Sequence, residues 1–120
     1  MKVSVKKVIL PFKIPATTSR GAYDNREIYL VSIQKDGFTA TGECAPLIGL
    51  SIDYKEDLEQ ELSTFCMEIN ESQELDPYKY KKNPAFIFAL ESALRQIELR
   101  QSHLLYSTPF SKEKQGIPIN

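Results

Sequence analysis

The chain has 120 residues and a mass of 13.7 kDa, which is long enough for one ordinary domain and too short for two. Fifteen Lys and Arg against sixteen Asp and Glu give a formal net charge of −1. This balance argues against a general nucleic-acid or membrane-surface binder, so we expect neither kind of partner.

The lack of targeting signals and the cysteine usage both favour the cytoplasm. The N-terminal residues lack the apolar core of a signal peptide, and no apolar run approaches the roughly 20 residues of a transmembrane helix. Cys44 and Cys66 are too few and too widely spaced for a disulfide scaffold or a zinc site, and they indicate buried, reduced thiols. We therefore expect a soluble, cytoplasmic protein.

The first element is a strand over residues 3–10, which are rich in β-branched side chains and stop at Pro11. Residues 11–25 then show no hydrophobic periodicity and contain two prolines, so they predict a long loop. Loops of this length are uncommon unless they are functional or disordered. This segment is therefore a candidate for function.

A β-hairpin follows over residues 26–45, because Asp36-Gly37 is typical of a two-residue type I′ turn. Pairing outward from the turn places apolar residues on one face and mostly polar residues on the other, as expected of a sheet with one buried face. The predicted apolar-face pairs are Ile33–Ala40, Val31–Gly42 and Tyr29–Cys44. The predicted pairs on the other face are Gln34–Thr39, Ser32–Thr41 and Leu30–Glu43.

Two helices complete the chain. Asp53 and Glu56 have the spacing of a capping box, which predicts that the first helix begins there. Residues 71–82 are half charged and predict a solvated connector. Asn83 as N-cap and Pro84 at the first helical position then predict a second helix. The expected apolar stripes are Leu58, Leu62, Phe65 and Ile69 in the first helix and Phe86, Leu90, Ala93, Leu94 and Ile97 in the second, where Glu91 and Arg95 are an expected i, i+4 pair.

This order of elements predicts the fold class. Strands followed by helices indicate an α+β structure, in which a three-stranded antiparallel meander is followed by helices packed on one face. The sequence contains no internal repeat and no low-complexity tract.

Most catalytic motifs are excluded. The five glycines form neither a dinucleotide-binding nor a P-loop pattern, and His103 is the only histidine, which removes His-based triads and His clusters for metals. Glu43, at the end of the third strand, is the one acid that we single out, although a structural role at the strand end is favoured. The basic-aromatic run at residues 78–82 is too short and too close to acids to favour nucleic-acid binding.

Two loops remain as candidates. Thr17-Thr18-Ser19-Arg20-Gly21 offers hydroxyls and a guanidinium, which suit a carboxylate ligand, and residues 46–51 offer an apolar wall hinged on Gly49. One loop follows the first strand and the other follows the third. We expect these two exits to lie at opposite ends of the sheet, so that the first loop would have to fold back to meet the second.

Several motifs at these loops carry a resemblance to a known family. They are Pro15-x-x-Thr18-Ser19-Arg20-Gly21, then Gly42-Glu43-Cys44-Ala45-Pro46-Leu47-x-Gly49-Leu50-Ser51, then Ser107-Thr108-Pro109-Phe110 and Gly116-Ile117-Pro118-Ile119-Asn120. In this order they resemble the o-succinylbenzoate synthases of menaquinone biosynthesis, a branch of the enolase superfamily. The resemblance covers essentially the whole chain.

The resemblance implies a two-part enzyme, with an N-terminal α+β capping domain and a catalytic TIM barrel. Residues 1–105 would be the capping domain, and residues 106–120 a connector leading to a barrel that is absent from this chain, because a (β/α)₈ barrel needs roughly 250 residues. The chain is therefore expected to be a capping domain cut from a longer enzyme. Its own C-terminal barrel is the expected partner.

In that family, three acidic residues of the barrel hold Mg²⁺. Two barrel lysines assist in removing a proton α to a carboxylate, and water is then eliminated. The resemblance therefore implies that the full-length protein is a lyase and that its catalytic and metal-binding residues lie outside this chain. Lys79-x-Lys81 copies the family's Lys-x-Lys motif only by coincidence, since it lies in the connector. We expect the fragment alone to be inactive and to bind no Mg²⁺ tightly.

The implied role of the capping domain is to close two loops over the substrate, a small dicarboxylate. On this basis the expected substrate-binding residues are Ser19, Arg20, Leu50 and Ser51. Apolar side chains that a barrel would cover, at residues 47–50, Ile117 and Ile119, lead us to expect self-association of the fragment.

Two alternatives stay open. The chain could cap another enzyme of the superfamily, such as an amino-acid racemase, a dipeptide epimerase or a muconate-type cycloisomerase. It could also be a stand-alone α+β binding module, which the reading frame past Asn120 would separate from the other two hypotheses.

Overall fold

One antiparallel sheet of three strands, in the order β1-β2-β3, forms the base of the computed structural model, which describes residues 1–119. The strands are β1 (Lys2–Thr18), β2 (Gly21–Lys35) and β3 (Phe38–Cys44). Two helices, α1 (Leu58–Ser72) and α2 (Pro84–Leu99), follow, with a short 3₁₀ helix at Pro77–Tyr80 between them. The predicted α+β class is confirmed.

The hairpin between β2 and β3 has the register that the Asp36-Gly37 turn and the alternation predict. All six predicted pairs are present, including Ile33 opposite Ala40 and Tyr29 opposite Cys44. Both turn residues have positive φ, 50° for Asp36 and 73° for Gly37, as a type I′ turn requires. Turn chemistry and burial favour the same pairing here, so a slip by one residue would turn the apolar face to water.

The predicted loop over residues 11–25 is wrong. This segment extends β1 and β2 into a hairpin arm whose tip lies at Ser19 and Arg20, with one register irregularity between Pro11 and Ala16. Nearly every side chain in the arm is exposed or half-buried, and neither face is packed on a core. Hydrophobic alternation is therefore missing. The two prolines fit because β1 is an edge strand.

The start of α1 also differs from the prediction. The helix begins at Leu58 with Asp57 at the N-cap, so the capping box at Asp53 and Glu56 is wrong. Asp53 is buried instead, and its Oδ2 accepts a hydrogen bond of 2.8 Å from the backbone N–H of Ala85. An acid from the preceding loop thus satisfies one of the free N–H groups in the first turn of α2.

Asn83 and Pro84 occupy the predicted N-cap and first position of α2. The Asn83 side chain does not cap the helix, however, because its Nδ2 donates to Glu61 Oε2 at 2.9 Å. The expected Glu91–Arg95 pair is replaced by an Arg95–Glu98 pair at 2.7 Å.

The core lies between the helices and one face of the sheet. Helix residues at the predicted stripe positions meet the apolar face of the hairpin, and both cysteines are buried there. The connector was predicted to be solvated, but Tyr80 within it is buried. Its ring packs in an aromatic cluster with Phe65 and Phe86, with ring centroids 4.6–5.5 Å apart. The largest fully buried side chains are Phe86, Ile33, Leu58, Leu62, Ile69, Leu90, Val3, Val31 and Cys44.

Gly42 sets how closely α2 approaches β3. A Cβ atom at this position would lie 1.9 Å from the backbone oxygen of Ala89. Only a residue without a side chain fits between strand and helix. Since Gly42 belongs to the motif that ends β3, part of that motif serves helix packing.

Amide side chains close the sheet margins near the Asp36-Gly37 turn. Asn70 of α1 donates to the Val3 carbonyl (2.8 Å) and accepts from the Val3 N–H (2.7 Å). Gln96 of α2 does the same for Thr41, at 2.7 and 3.2 Å. Each amide takes the place of a neighbouring strand, so these edge groups are satisfied.

Residues 100–119 contain turns and bends and lie largely on the surface. Ile117 and Ile119 are exposed, as expected, while Asn120 lies outside the described residues. Within residues 1–119, no helix is both long and apolar enough to cross a membrane.

Candidate functional site

The hairpin tip and the loop after β3 lie at the same end of the sheet. β1 and β3 each run antiparallel to β2, so they are parallel to each other and both end at this edge. The expectation that the two exits lie at opposite ends is therefore wrong, and the first loop does not fold back. The arm carries Arg20 of its tip into contact with Gly49 of the second loop.

The tip itself is a tight turn. The hydroxyl of Thr18 donates to the Gly21 carbonyl at 3.2 Å, and the Arg20 N–H donates to the same hydroxyl oxygen at 3.2 Å. Gly21 has a φ of 131°, a conformation that residues with side chains rarely adopt. The local hydrogen bonds and this glycine present the side chains of Ser19 and Arg20 at the outermost point of the arm.

The second loop, residues 46–51, is also closed by its own hydrogen bonds. The backbone N–H groups of Leu50 and Ser51 donate to the Leu47 carbonyl at 3.1 and 2.9 Å. The Leu47 N–H in turn donates to the Ser51 hydroxyl oxygen at 2.8 Å. Gly49 has a φ of 73°, which allows the chain to reverse. The loop is therefore a preformed turn.

Three side chains on the hairpin donate hydrogen bonds to backbone carbonyls at or next to this loop. Arg20 Nη1 donates to the Gly49 carbonyl at 2.9 Å, and the Tyr23 hydroxyl donates to the Ile48 carbonyl at 3.4 Å. Arg26 Nη2 donates to the Ala45 carbonyl. The β2–β3 backbone pairing ends at Cys44, and these side chains take over where it stops.

The structure brings Arg20 of the predicted site directly against the second loop. Its guanidinium is exposed and uses one of its five N–H groups for Gly49. Ser19 is exposed at the tip beside it, and Leu50 is 55% exposed. The Ser51 oxygen already accepts a bond within the loop, which leaves its hydroxyl hydrogen to donate.

Sequence reasoning missed Tyr23 and Arg26. Tyr23 lies in the segment predicted to be a loop and Arg26 is the first residue of the predicted hairpin, and both are half-buried. A strand prediction that included residues 21–25 would have placed the start of β2, and both residues with it, beside the loop that follows β3. The carbonyl partner lies 25 residues away for Tyr23 and 19 residues away for Arg26, and a backbone carbonyl has no sequence pattern of its own.

Three concave surfaces surround these contacts. A cavity of about 230 Å³ lies between β2 and the second loop and is lined in part by Tyr23, Arg26, Leu47 and Tyr54. A shallower one of about 480 Å³ lies beside Arg20 and Gly49. A wider groove of about 610 Å³ runs past Glu43 to the start of α2. All three are lined in part by residues of the second loop.

The described residues do not fit a magnesium ion. Within residues 1–119, no group of three or more His, Cys, Asp or Glu side chains is arranged to hold a metal. Glu43 and His103 are exposed, and Asp53 is engaged with Ala85. Oxygen ligands in the number that Mg²⁺ requires are not gathered at one point in this part of the chain.

The two thiols are also unsuited to chemistry. Burial, together with the charge of Asp53, raises the pKa of Cys44 from 9.0 to about 12. Burial alone raises the pKa of Cys66 to about 11. Because the thiolate is the reactive form, both cysteines are inert packing residues at neutral pH.

Comparison with known proteins identifies this arrangement. The family model for the MenC N-terminal domain matches residues 2–97. The chain belongs to this family. The resemblance to the o-succinylbenzoate synthases that the motifs indicated is thereby confirmed.

A curated relative supports the same family. The o-succinylbenzoate synthase of Desulfotalea psychrophila is 24% identical over 151 aligned residues, which cover the whole chain and 41% of the relative. The chain thus spans about two fifths of the length of that protein. The larger part of the relative lies beyond the match.

Solved structures share the fold. The o-succinylbenzoate synthase of Thermosynechococcus elongatus, complexed with Mg in its active site, has a TM-score of 0.62 at 21% identity, over 89% of this chain and 32% of that one. A mandelate racemase/muconate lactonizing protein of Herpetosiphon aurantiacus has a TM-score of 0.63 at 18% identity, over 84% and 31%. An Agrobacterium tumefaciens enolase family member with homology to dipeptide epimerases has 0.61 at 17% identity, over 84% and 32%. At these identities the likeness concerns the fold alone.

Proposed function

We propose that this chain is the substrate-capping domain of an o-succinylbenzoate synthase. The full enzyme would convert 2-succinyl-6-hydroxy-2,4-cyclohexadiene-1-carboxylate to o-succinylbenzoate in menaquinone biosynthesis, by removal of an α-proton and elimination of water. The groups that carry out the proton transfer would lie in a C-terminal barrel outside this chain. The contribution of the present residues would then be binding and exclusion of water.

The contact between Arg20 and the Gly49 carbonyl carries the proposal. It joins two family-specific loops into one surface at the end of the sheet. The same guanidinium keeps four N–H groups that make no hydrogen bond within residues 1–119, and a planar pair of such donors matches a carboxylate. A cap over a dicarboxylate would need two loops to cover the ligand and a cationic group to bind one carboxylate, and Arg20 with these two loops would supply both.

The substrate has two carboxylates with different needs. The one next to the reacting carbon must be stabilised as negative charge develops there, which is a task for the barrel. The distal succinyl carboxylate is remote from that centre and needs its own partner. Arg20 would supply it when the loops close, with Ser19 and Ser51 as additional donors and Leu50 as an apolar wall.

Steady-state kinetics on the full-length enzyme test this assignment. We expect Arg20→Ala to lower kcat/KM by one to two orders of magnitude, since a charged hydrogen bond is worth about 1.5–3 kcal/mol. Arg20→Lys should also be impaired, because an ammonium keeps one bond to Gly49 but cannot form the planar pair. Full recovery by lysine would mean that Arg20 only anchors the loop, and unchanged kinetics in both variants would remove it from the site.

Arg100 offers a matched control. It is also an exposed arginine, and it donates to a backbone carbonyl, that of Asp36, at the far end of the sheet. Arg100→Ala should leave kcat/KM within about twofold, since nothing there faces the two loops. A comparable loss in this variant would show that the Arg20 effect arises from general weakening of the domain.

A second candidate keeps the cap and changes the substrate. The Agrobacterium tumefaciens neighbour contains bound L-Ala-L-Glu, a ligand that also carries carboxylates. The guanidinium of Arg20 would suit such a ligand as well. Turnover of dipeptides by the full-length enzyme, without o-succinylbenzoate formation, would favour this alternative.

A further inference from the structure

Beyond the predicted substrate contacts, β2 carries two other side chains that hold the second loop. Tyr23 donates to the Ile48 carbonyl within the loop, and Arg26 donates to the Ala45 carbonyl directly before it. Neither residue lies at the hairpin tip, and both are half-buried. Together they line the cavity of about 230 Å³ between strand and loop.

Besides Arg20 at the hairpin tip, Tyr23 and Arg26 are the only hairpin side chains in the described part of the chain that donate hydrogen bonds to the loop or to Ala45 before it. Its internal bonds, through Leu47 and Ser51, keep its own shape but do not set its distance from the strand. That distance depends on the donors of β2. Without the bonds at Ala45 and Ile48, the turn would open more often, which would expose the Leu50 and Ser51 N–H groups and displace both side chains.

We propose that Tyr23 and Arg26 are positioning residues that fix the second loop at the distance from the hairpin at which Arg20, Leu50 and Ser51 receive the substrate together. This inference rests on the proposed capping function. Arg26 is the stronger of the two, since a guanidinium bond to a carbonyl is charge-assisted, whereas the Tyr23 bond is long at 3.4 Å. Neither residue touches the substrate.

The first test measures the loop directly. In the full-length enzyme without substrate, amide hydrogen exchange at Leu50 and Ser51 should accelerate about tenfold in Arg26→Met and a few-fold in Tyr23→Phe. Arg95→Met is the matched control, because Arg95 is a half-buried arginine that donates to the Leu105 carbonyl, away from the loop. Unchanged exchange in Arg26→Met would overturn the proposal.

The second test measures the consequence for substrate. Arg26→Met should raise KM about tenfold with kcat within about twofold, and Arg26→Lys should recover part of the loss. Combining Arg26→Met with Arg20→Ala should give less than the product of the two separate effects, because both act through the same loop position. Full additivity in a protein in which Arg20→Ala alone lowers kcat/KM, or faster exchange with an unchanged KM, would overturn the positioning role.

The design separates this inference from the proposed function. If Arg20→Ala has no effect while Arg26→Met raises KM, the Arg20 contact is wrong and loop positioning stands through Leu50 and Ser51. Tyr23→Phe removes a single oxygen atom and keeps the ring, so it provides a readout if Arg26→Met unfolds. A thermal melt of each variant identifies that case.

Discussion

At the end of the sheet next to the Asp36-Gly37 turn, both helices cover one face and amide side chains close both margins. At the other end, the hairpin arm projects without a helix against it and is held to the second loop by bonds from Arg20, Tyr23 and Arg26. The first end is fixed by burial and close packing, and the second by a few polar contacts near water. Stability therefore resides mainly in the packed end, whereas the substrate recognition that we propose would use the other end of the same small sheet.

The largest expected change in the free energy of unfolding is at the packed end of the sheet. Gly42→Ala should destabilise the chain by about 3 kcal/mol, because its Cβ would overlap the Ala89 carbonyl and push α2 away from β3. Chemical denaturation measures the change. Gly116→Ala is the control, since a Cβ there meets nothing within 4 Å and should leave stability within about 0.5 kcal/mol. A stable Gly42→Ala protein would mean that the helix–strand contact is loose.

Alkaline pH should weaken the packed end next. The folded pKa values of Cys44 and Cys66 are raised to about 12 and about 11 from 9.0, so their contribution to stability is complete below pH 9 and is lost as pH rises through this range. The loss amounts to at most about 1.4 kcal/mol per pH unit for each thiol. Denaturation between pH 8 and 11 measures it.

A double variant, Cys44→Ala with Cys66→Ala, separates the thiols from the tyrosines. Burial also raises the pKa of Tyr29 and of Tyr80, which gives the same sign of pH dependence. The slope of stability against pH should therefore become smaller in the double variant without vanishing. An identical slope in the two proteins would contradict burial of the thiols.

A moderate loss of stability is expected at Asp53, which connects the segment before α1 to the start of α2. Asp53→Ala should cost about 1–2 kcal/mol, because the Ala85 N–H at the start of α2 loses its acceptor. Asp53→Asn keeps an oxygen in place and should retain most of the stability. Thermal unfolding distinguishes the two variants, and equal melting temperatures for alanine and wild type would show that water replaces the carboxylate without cost.

The smallest effect on stability is expected in the arm. Ile14 is 81% exposed, so Ile14→Lys should change the free energy of unfolding by less than about 0.5 kcal/mol. The same change should reduce the expected self-association of the chain, because it interrupts an exposed apolar row with Leu10 and Phe12. Sedimentation at high concentration measures this. A monomeric wild-type chain would remove the expectation.

The contrast between the two ends also explains what the sequence could predict. The β2–β3 register followed from Asp36-Gly37 and from alternation, since one face there is buried. The arm was misassigned because a strand exposed on both faces has no apolar period, and Pro11 and Pro15 argue against a central strand but not against an edge. Local pattern rules therefore worked only where a core imposes the pattern.

The site was predictable in part for the same reason. Arg20 and the 46–51 loop were chosen from motifs, and the structure places them in contact. The Asp53 carboxylate and Ala85 lie 32 residues apart, and no local rule links them. Tyr23 and Arg26 were hidden because their partners are backbone carbonyls, which every residue carries.

The amide pairs at Val3 and Thr41 have a consequence for how copies of this chain can meet. A sheet normally grows when a foreign strand aligns with a bare margin. Near the turn, the Asn70 and Gln96 amides already occupy that position, and along the arm Pro11 and Pro15 lack the N–H groups that such growth would use. Contact between copies is thereby directed to the faces of the sheet, where it stays reversible, and lateral polymerisation into fibrils is disfavoured from both ends.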